Sequence, residues 1–338
     1  MEEIDSRWQP IQGFKTHKFS VYSAYLDTRE TNNPVIRVIG VTRATNPEKV
    51  LCRMYYNTKD LQLVDDLNFD VFHQDPFLDV PGVTMVLEEN ENNYYHACFV
   101  LCPINNKKLA ISESLPLPTF VSILPKNPSG LNYTERLPVI NPNNSHTREY
   151  QQRTQSYHKN SKNDVGLCVK PIHSNYNNWL EIIAFIEMNK ILGISKFIVY
   201  NESMSENVSC VLEYYKESEH LVSIRTWDLL RKLQISTNMI KNRGVLASLN
   251  DCFYRHMNSY QYLFSIDLDE YIIPHMHDTI PEMLQYLNSA DIKYMDRHWR
   301  QKEVMRKRPN RPNQNMTTTY SFLNSFIYLV YGKIYAFM

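Results

Sequence analysis

Hydrophobic positions change their period part-way along the chain. Up to residue 124 they come in short runs, at 19–25, 35–42, 50–56, 83–87, 95–101 and 120–124. Each run is rich in β-branched or aromatic residues, and Asn, Pro, Asp and Gly separate them. That rhythm predicts short strands in a sandwich or antiparallel sheet. Residues 125–163 carry many Pro, Asn, Ser and Lys and read as an irregular connector.

From Val165 the pattern alternates between strand and helix. Strands are expected at 165–170, 196–200, 221–227 and 262–266. Between the first two, Trp179, Ile182, Ile183 and Ile186 recur at helical spacing. Asn178 is the expected N-cap, with Glu181 three residues on and Gly193 as the C-terminal stop. Val208, Val211, Leu212 and Tyr215 mark a second helical face. A longer helix ends near Met257, and Thr279 to Glu282 makes a capping box for a helix through Leu287. Repeated β-α units imply a mostly parallel sheet with right-handed crossovers.

The chemistry concentrates where the strand from Tyr262 to Ile266 ends in Asp267-Leu268-Asp269-Glu270. A strand buried on both faces of a parallel sheet is nearly continuous in apolar residues. Ligands of open α/β sheets bind at strand carboxyl ends. Two carboxylates one residue apart at such an exit can grip a hard divalent cation, and the cation a diphosphate. A lone Asp-x-Asp is common and reads as a solvated strand end; fused to this strand it is a stronger signal.

Several segments, in order, resemble glycosyltransferase family 92. They are Val21 to Arg29, Ile36 to Gly40, Cys168-Val169-Lys170-Pro171-Ile172-His173, Trp179-Leu180-Glu181, Phe185-Ile186-Glu187, Ser248 to Arg255 and Phe264 to Pro274. The resemblance covers roughly residues 8 to 290. It implies a GT-A type, mostly parallel sheet domain (164–290), preceded by a β-rich, sandwich-like domain (1–124) and the connector (125–163). It implies inverting transfer of a hexose, galactose in the known cases, from a UDP-sugar to a glycan acceptor, with Mn²⁺. It also implies a Golgi membrane location with a luminal catalytic domain and an anchor upstream of Met1, since no signal segment follows Met1.

On this reading Asp269 is the direct metal ligand, and Asp267 contacts the metal, the donor ribose or a metal-bound water. Pro171, Ile172 and His173 after one strand, and Asn201 and Glu202 after another, are donor-side candidates. An inverting transfer needs a general base; Asp278, Glu282 and Asp291 are the candidates, each with a helix-start acid as its plain alternative. Arg255 is placed to pair with Asp251 at i, i+4 in a structural role.

Composition narrows the classes. Lys plus Arg and Asp plus Glu both number 36, so there is no electrostatic footprint for nucleic acid. Six cysteines allow 15 pairings, and their spacing lacks a zinc pattern. Sequons at Asn132, Asn143, Asn201, Asn207 and Asn315 agree with a lumenal chain. Residues 291–338 depart from the resemblance. A basic run holds Arg297, Arg300, Lys302, Arg306, Lys307, Arg308 and Arg311, and an apolar stretch from Tyr320 to Met338 approaches the ~20 residues that span a bilayer. The departure leaves a second reading open: an impaired relative acting as a donor- or glycan-binding module.

Overall fold

The computed structural model describes residues 6–14, 18–30, 33–47, 49–57, 76–87, 93–104, 117–126, 135–141, 165–287, 327–330 and 335–337. The first strands are β1 (Gln9–Pro10), β2 (Ser20–Asp27), β3 (Val35–Arg43), β4 (Val50–Tyr55), β5 (Phe77–Val86), β6 (Tyr95–Pro103), β7 (Phe120–Pro125) and β8 (Leu137–Ile140). Then come β9 (Val165–Ile172), α1 (Trp179–Ile191), β10 (Lys196–Asn201), α2 (Glu206–Glu217), β11 (Val222–Thr226), α3 (Leu229–Leu233) and α4 (Val245–His256). The last elements are β12 (Tyr262–Ile266), β13 (Tyr271–Pro274), α5 (Ile280–Leu287), β14 (Ile327–Val330) and β15 (Tyr335–Phe337). The chain forms two compact units: residues 1–153 with 200–202 and 225–255, and residues 154–199, 203–224 and 256–338.

The first unit is built on a closed mixed barrel. Its strands follow the order β2-β3-β6-β5-β4-β7-β8, with β1 added beside β2, and β8 returns to pair with β2. The closing pair is parallel, Ala24 opposite Val139 and Tyr25 opposite Ile140; the other neighbouring strands of the barrel pair antiparallel. A register shift between Val21 and Ser23 bends β2. Phe19, Val21, Ala24 and Leu26 join Ile36, Val38, Cys98 and Val100 in the barrel core.

Strand β5 changes partner half-way. Phe77 to Gly82 pair with β4, and Val83 to Val86 pair with β6. At this corner Cys52 of β4 is disulfide-bonded to Cys102 of β6, with Cα atoms 5.8 Å apart. Gly82 makes room: a Cβ there would lie 2.8 Å from Cys52 Sγ. Closing a loop across 50 residues removes roughly 4 kcal/mol of unfolded-state entropy.

Outside the barrel core, the first unit buries a carboxylate. Asp251 on α4 accepts from Ser23 Oγ (2.5 Å), Tyr25 OH (2.5 Å) and Tyr200 OH (2.7 Å). Arg255 Nη2 reaches its Oδ1 at 3.1 Å and Nε its Oδ2 at 3.2 Å, the expected i, i+4 pair. The acid is fully buried. Burial alone would raise its pKa, but the Arg255 charge and these hydrogen bonds prevail and hold it at about 2.

The second unit carries a smaller sheet, in order β11-β10-β9-β12-β15. Strands β9 and β12 are parallel, with Tyr262 opposite Val165 and Ile266 opposite Val169; β15 lies antiparallel to β12. Leu167, Val169, Phe264 and Ile266 face a core completed by Ile182, Phe185 and Ile186 of α1 and by Val208 and Leu212 of α2. The expected end signals operate. Asn178 accepts the Glu181 N–H at 3.3 Å. Gly193 takes φ +91°, which only glycine adopts cheaply. Thr279 Oγ1 accepts the Glu282 N–H at 3.4 Å.

This architecture corrects two expectations. The chain is mostly β, organised on a closed barrel and a minor second sheet, and is not the GT-A type, mostly parallel α/β fold expected; nor is the N-terminal part a sandwich. A sandwich and a barrel share the same local alternation. They differ in one pairing, here between residues more than a hundred positions apart, and β8 lies in a stretch whose Pro and Asn content reads as a connector. The described parts of the apolar stretch from Tyr320 to Met338 are strands β14, paired with β13, and β15, paired with β12. Among the described residues, no helix is long and apolar enough to cross a membrane.

Candidate functional site

All five residues of β12 are buried, and the chain emerges from it at Asp267. The next four residues form a turn held from both directions. The Glu270 N–H donates to the Asp267 carbonyl at 3.0 Å, and Glu270 Oε2 accepts the Asp267 N–H at 3.0 Å. Glu270 is buried, Asp267 half-buried and Asp269 exposed. The turn therefore fixes three acids in three environments. Desolvation, first, pushes the Glu270 carboxyl above its ordinary range. The Asp267 and Asp269 charges add to that, while the Asp267 N–H and Lys170 oppose it.

The parallel register sets the partner of Asp267. With Ile266 opposite Val169, one step further brings Asp267 beside Lys170. Lys170 Nζ forms an ion pair with Asp267 Oδ1. Asp269 makes no hydrogen bond or ion pair among the described residues.

A second set of groups comes from the segment after β9. Ser174 and Asn175 adopt left-handed backbone, with φ of 61° and 50°. They turn the chain so that the Tyr176 N–H reaches the Ser203 carbonyl (3.3 Å) and the Ser205 N–H reaches the Tyr176 carbonyl (2.9 Å). The Tyr176 hydroxyl donates to Glu181 Oε2, which also accepts from Asn178 Nδ2 at 3.0 Å. Burial and then Glu181 raise the Tyr176 phenol, and Asp269 adds to the shift. Tyr271 is raised by burial, then by Glu181 and Asp269. Asp269 is thus electrostatically coupled to Tyr176, Glu270 and Tyr271.

The other candidates are placed as follows. Pro171 and Ile172 are the buried last residues of β9; His173 follows, exposed, with Nδ1 2.9 Å from Ser174 Oγ. In the first unit, Asn201 ends β10, and its buried Oδ1 has no hydrogen-bond partner among the described residues. Both carboxylate oxygens of Glu202 accept from Arg243 Nη1 at 2.8 Å. Asp278 and Glu282 start α5, where Glu282 Oε2 accepts the Asp278 N–H at 3.2 Å. Asp291 and the basic run lie outside the described residues. The structure adds Lys170 and Tyr176. Both were visible as residues, but their roles follow from strand register and a left-handed turn.

Among the described residues, no three His, Cys, Asp or Glu side chains are grouped to hold a metal by themselves. Three are not required for a metal shared with a substrate: small hard cations are bound by one or two carboxylates plus phosphate oxygens and water. Asp267 Oδ2 and both oxygens of Asp269 are donors of that kind, and an ammonium already sits on Asp267 as a stand-in cation. The donor set fits.

Residues 163–326 match the model of Glycosyltransferase family 92. The match starts later than the resemblance read from the sequence. It also extends through residues 291–326, which that reading set apart. A beta-1,4-galactosyltransferase of Caenorhabditis elegans, galt-1, is 26% identical over 112 residues, 32% of this chain and 25% of its own length. The Glycosyltransferase family 92 protein F13G3.3 of the same organism is 25% identical over 131 residues, 37% of this chain and 26% of its own length. The similarity thus spans about a quarter of the length of each relative.

Proposed function

We propose, from the premise that residues 163–326 belong to glycosyltransferase family 92, that the chain transfers a hexose from a UDP-sugar to a glycan acceptor. We take the transfer as inverting, the metal as Mn²⁺ and galactose as the first candidate sugar. The observation that carries the reading is the turn from Asp267 to Glu270 at the end of β12, inside the matched segment. It holds one carboxylate exposed, one on a cation and one spent on the turn itself.

Asp269 is the direct ligand in this reading, and Asp267 offers a second oxygen or steadies ribose or a metal-bound water. Glu270 fixes the direction of both by its two bonds to the Asp267 backbone. Once bound, the ion supplies Lewis-acid neutralisation of the leaving diphosphate. His173 and Pro171 at the end of β9, and Asn201 at the end of β10, are the donor-side candidates. Asp278, Glu282 and Asp291 are the candidates for the base that takes the acceptor hydroxyl proton. The Cys52–Cys102 disulfide supports an oxidising compartment, and we place the chain in the Golgi lumen on that ground and the family's.

The test is transfer by the full chain from UDP-hexoses, with Mn²⁺, onto a glycan panel read by mass spectrometry. Transfer from UDP-galactose is expected, falling about 100-fold or more in Asp269→Ala, because metal neutralisation of the leaving group is worth several kcal/mol. No transfer from any donor, or equal rates in the variant, refutes the reading.

A further inference from the structure

Of the three acids after β12, Asp267 alone is met by a cation among the described residues, and that cation comes from the neighbouring strand. On β9, Leu167 and Val169 point into the core, so Lys170 projects from the opposite face. On β12, Phe264 and Ile266 point into the same core, so Ser265 and Asp267 share the face of Lys170. Ser265 is fully buried there, and its Oγ has no hydrogen-bond partner among the described residues. The face therefore holds an ammonium, a carboxylate and an unused polar atom along one edge of two parallel strands. The Lys170 and Asp267 side chains are 32% and 39% exposed.

We infer that Lys170 is a resident counter-cation for Asp267, that it opposes binding of a divalent ion, and that it passes to the phosphate oxygens when a nucleoside diphosphate arrives with that ion. The inference rests on the metal-dependent reading above and adds a residue and an order to it. An ion pair this exposed is worth only about a factor of 1.5 to 5 in an equilibrium constant, so it is exchangeable. A dication on Asp267 and Asp269 would sit within a few ångströms of the ammonium and repel it. A diphosphate removes that conflict, because its oxygens accept both, and lysine binds phosphate as a mobile point charge. Metal and nucleotide then assist one another reciprocally, through one side chain.

The experiment uses the full chain and binding alone. Mn²⁺ is titrated without nucleotide and read by the free-ion paramagnetic resonance signal, for wild type, Lys170→Met, Lys170→Arg and Asp269→Ala. UDP is titrated calorimetrically without metal on the same proteins. Lys170→Met is expected to bind Mn²⁺ roughly threefold more tightly or better, and metal-free UDP more weakly by a similar factor. Lys170→Arg, which keeps the charge, is expected to stay near wild type for Mn²⁺. Mn²⁺ affinity unchanged or weaker in Lys170→Met, with binding lost in Asp269→Ala, overturns the role of Lys170 and leaves the metal site standing. Equal Mn²⁺ binding by wild type and Asp269→Ala overturns both.

Discussion

Replacing Asp251 with Ala removes the buried acceptor that α4 supplies in the first unit. Three hydroxyls, from Ser23, Tyr25 and Tyr200, lose their common partner, and the Arg255 guanidinium stays buried without its counter-charge. Breaking a buried pair from one side costs about 3–5 kcal/mol, a large part of the ~5–15 kcal/mol that stabilises a domain. The depressed pKa of the carboxyl points the same way: the Arg255 charge and the hydroxyl donors stabilise its ionised form in the folded chain. The sign follows from the depressed value: this stability is fully present above pH ~4 and is lost as pH falls through about 2. The assay is urea unfolding at pH 7 followed by tryptophan fluorescence, with Trp8 and Trp227 in the same unit as reporters. Asp251→Ala is expected to shift the midpoint down at unchanged slope, and Asp251→Ala with Arg255→Met to recover at least half of the loss. A single variant within about 1 kcal/mol of wild type, or a double variant no better than the single one, refutes the reasoning.

Two further perturbations probe the local devices. Cys52→Ala with Cys102→Ala should lower the unfolding free energy by about 2–4 kcal/mol, and added reductant should then have no further effect at that bridge; calorimetric melting with and without dithiothreitol checks it. Asn178→Ala removes the cap of α1 and a donor to Glu181, costing about 1 kcal/mol by urea unfolding; an unchanged midpoint would show that the cap is dispensable.

What the sequence disclosed follows the range of the interactions. Strand β12 was legible because a buried, largely apolar run of five residues stops at three acids, and the ends of α1 and α5 because Asn178, Gly193 and Thr279 act within a turn of their own position. The Asp251–Arg255 pair was legible for the same reason, being one helical turn apart. Barrel closure was not, since it hangs on Ala24 and Tyr25 meeting a strand far away in a Pro- and Asn-rich stretch. The ion pair of Asp267 was hidden too. Lys170 stands in a recognisable motif, but only the register between β9 and β12 puts it beside the acid. The corner at Gly82 shows the converse: Pro81 and Gly82 read as a separator before the run at 83–87, whereas β5 continues through them and Gly82 admits a disulfide and a change of partner.

In the proposed site Asp267 and Asp269 bind a nucleoside diphosphate through a shared divalent ion. Calorimetric titration of UDP into the full chain, with and without Mn²⁺, tests it most directly when run in parallel on Asp269→Ala. Mn²⁺ is expected to tighten UDP binding by about tenfold or more in wild type, and the variant to lose this gain while keeping the weak metal-free binding. UDP affinity that ignores Mn²⁺ in wild type, or that responds to it equally in Asp269→Ala, would rule out the shared ion.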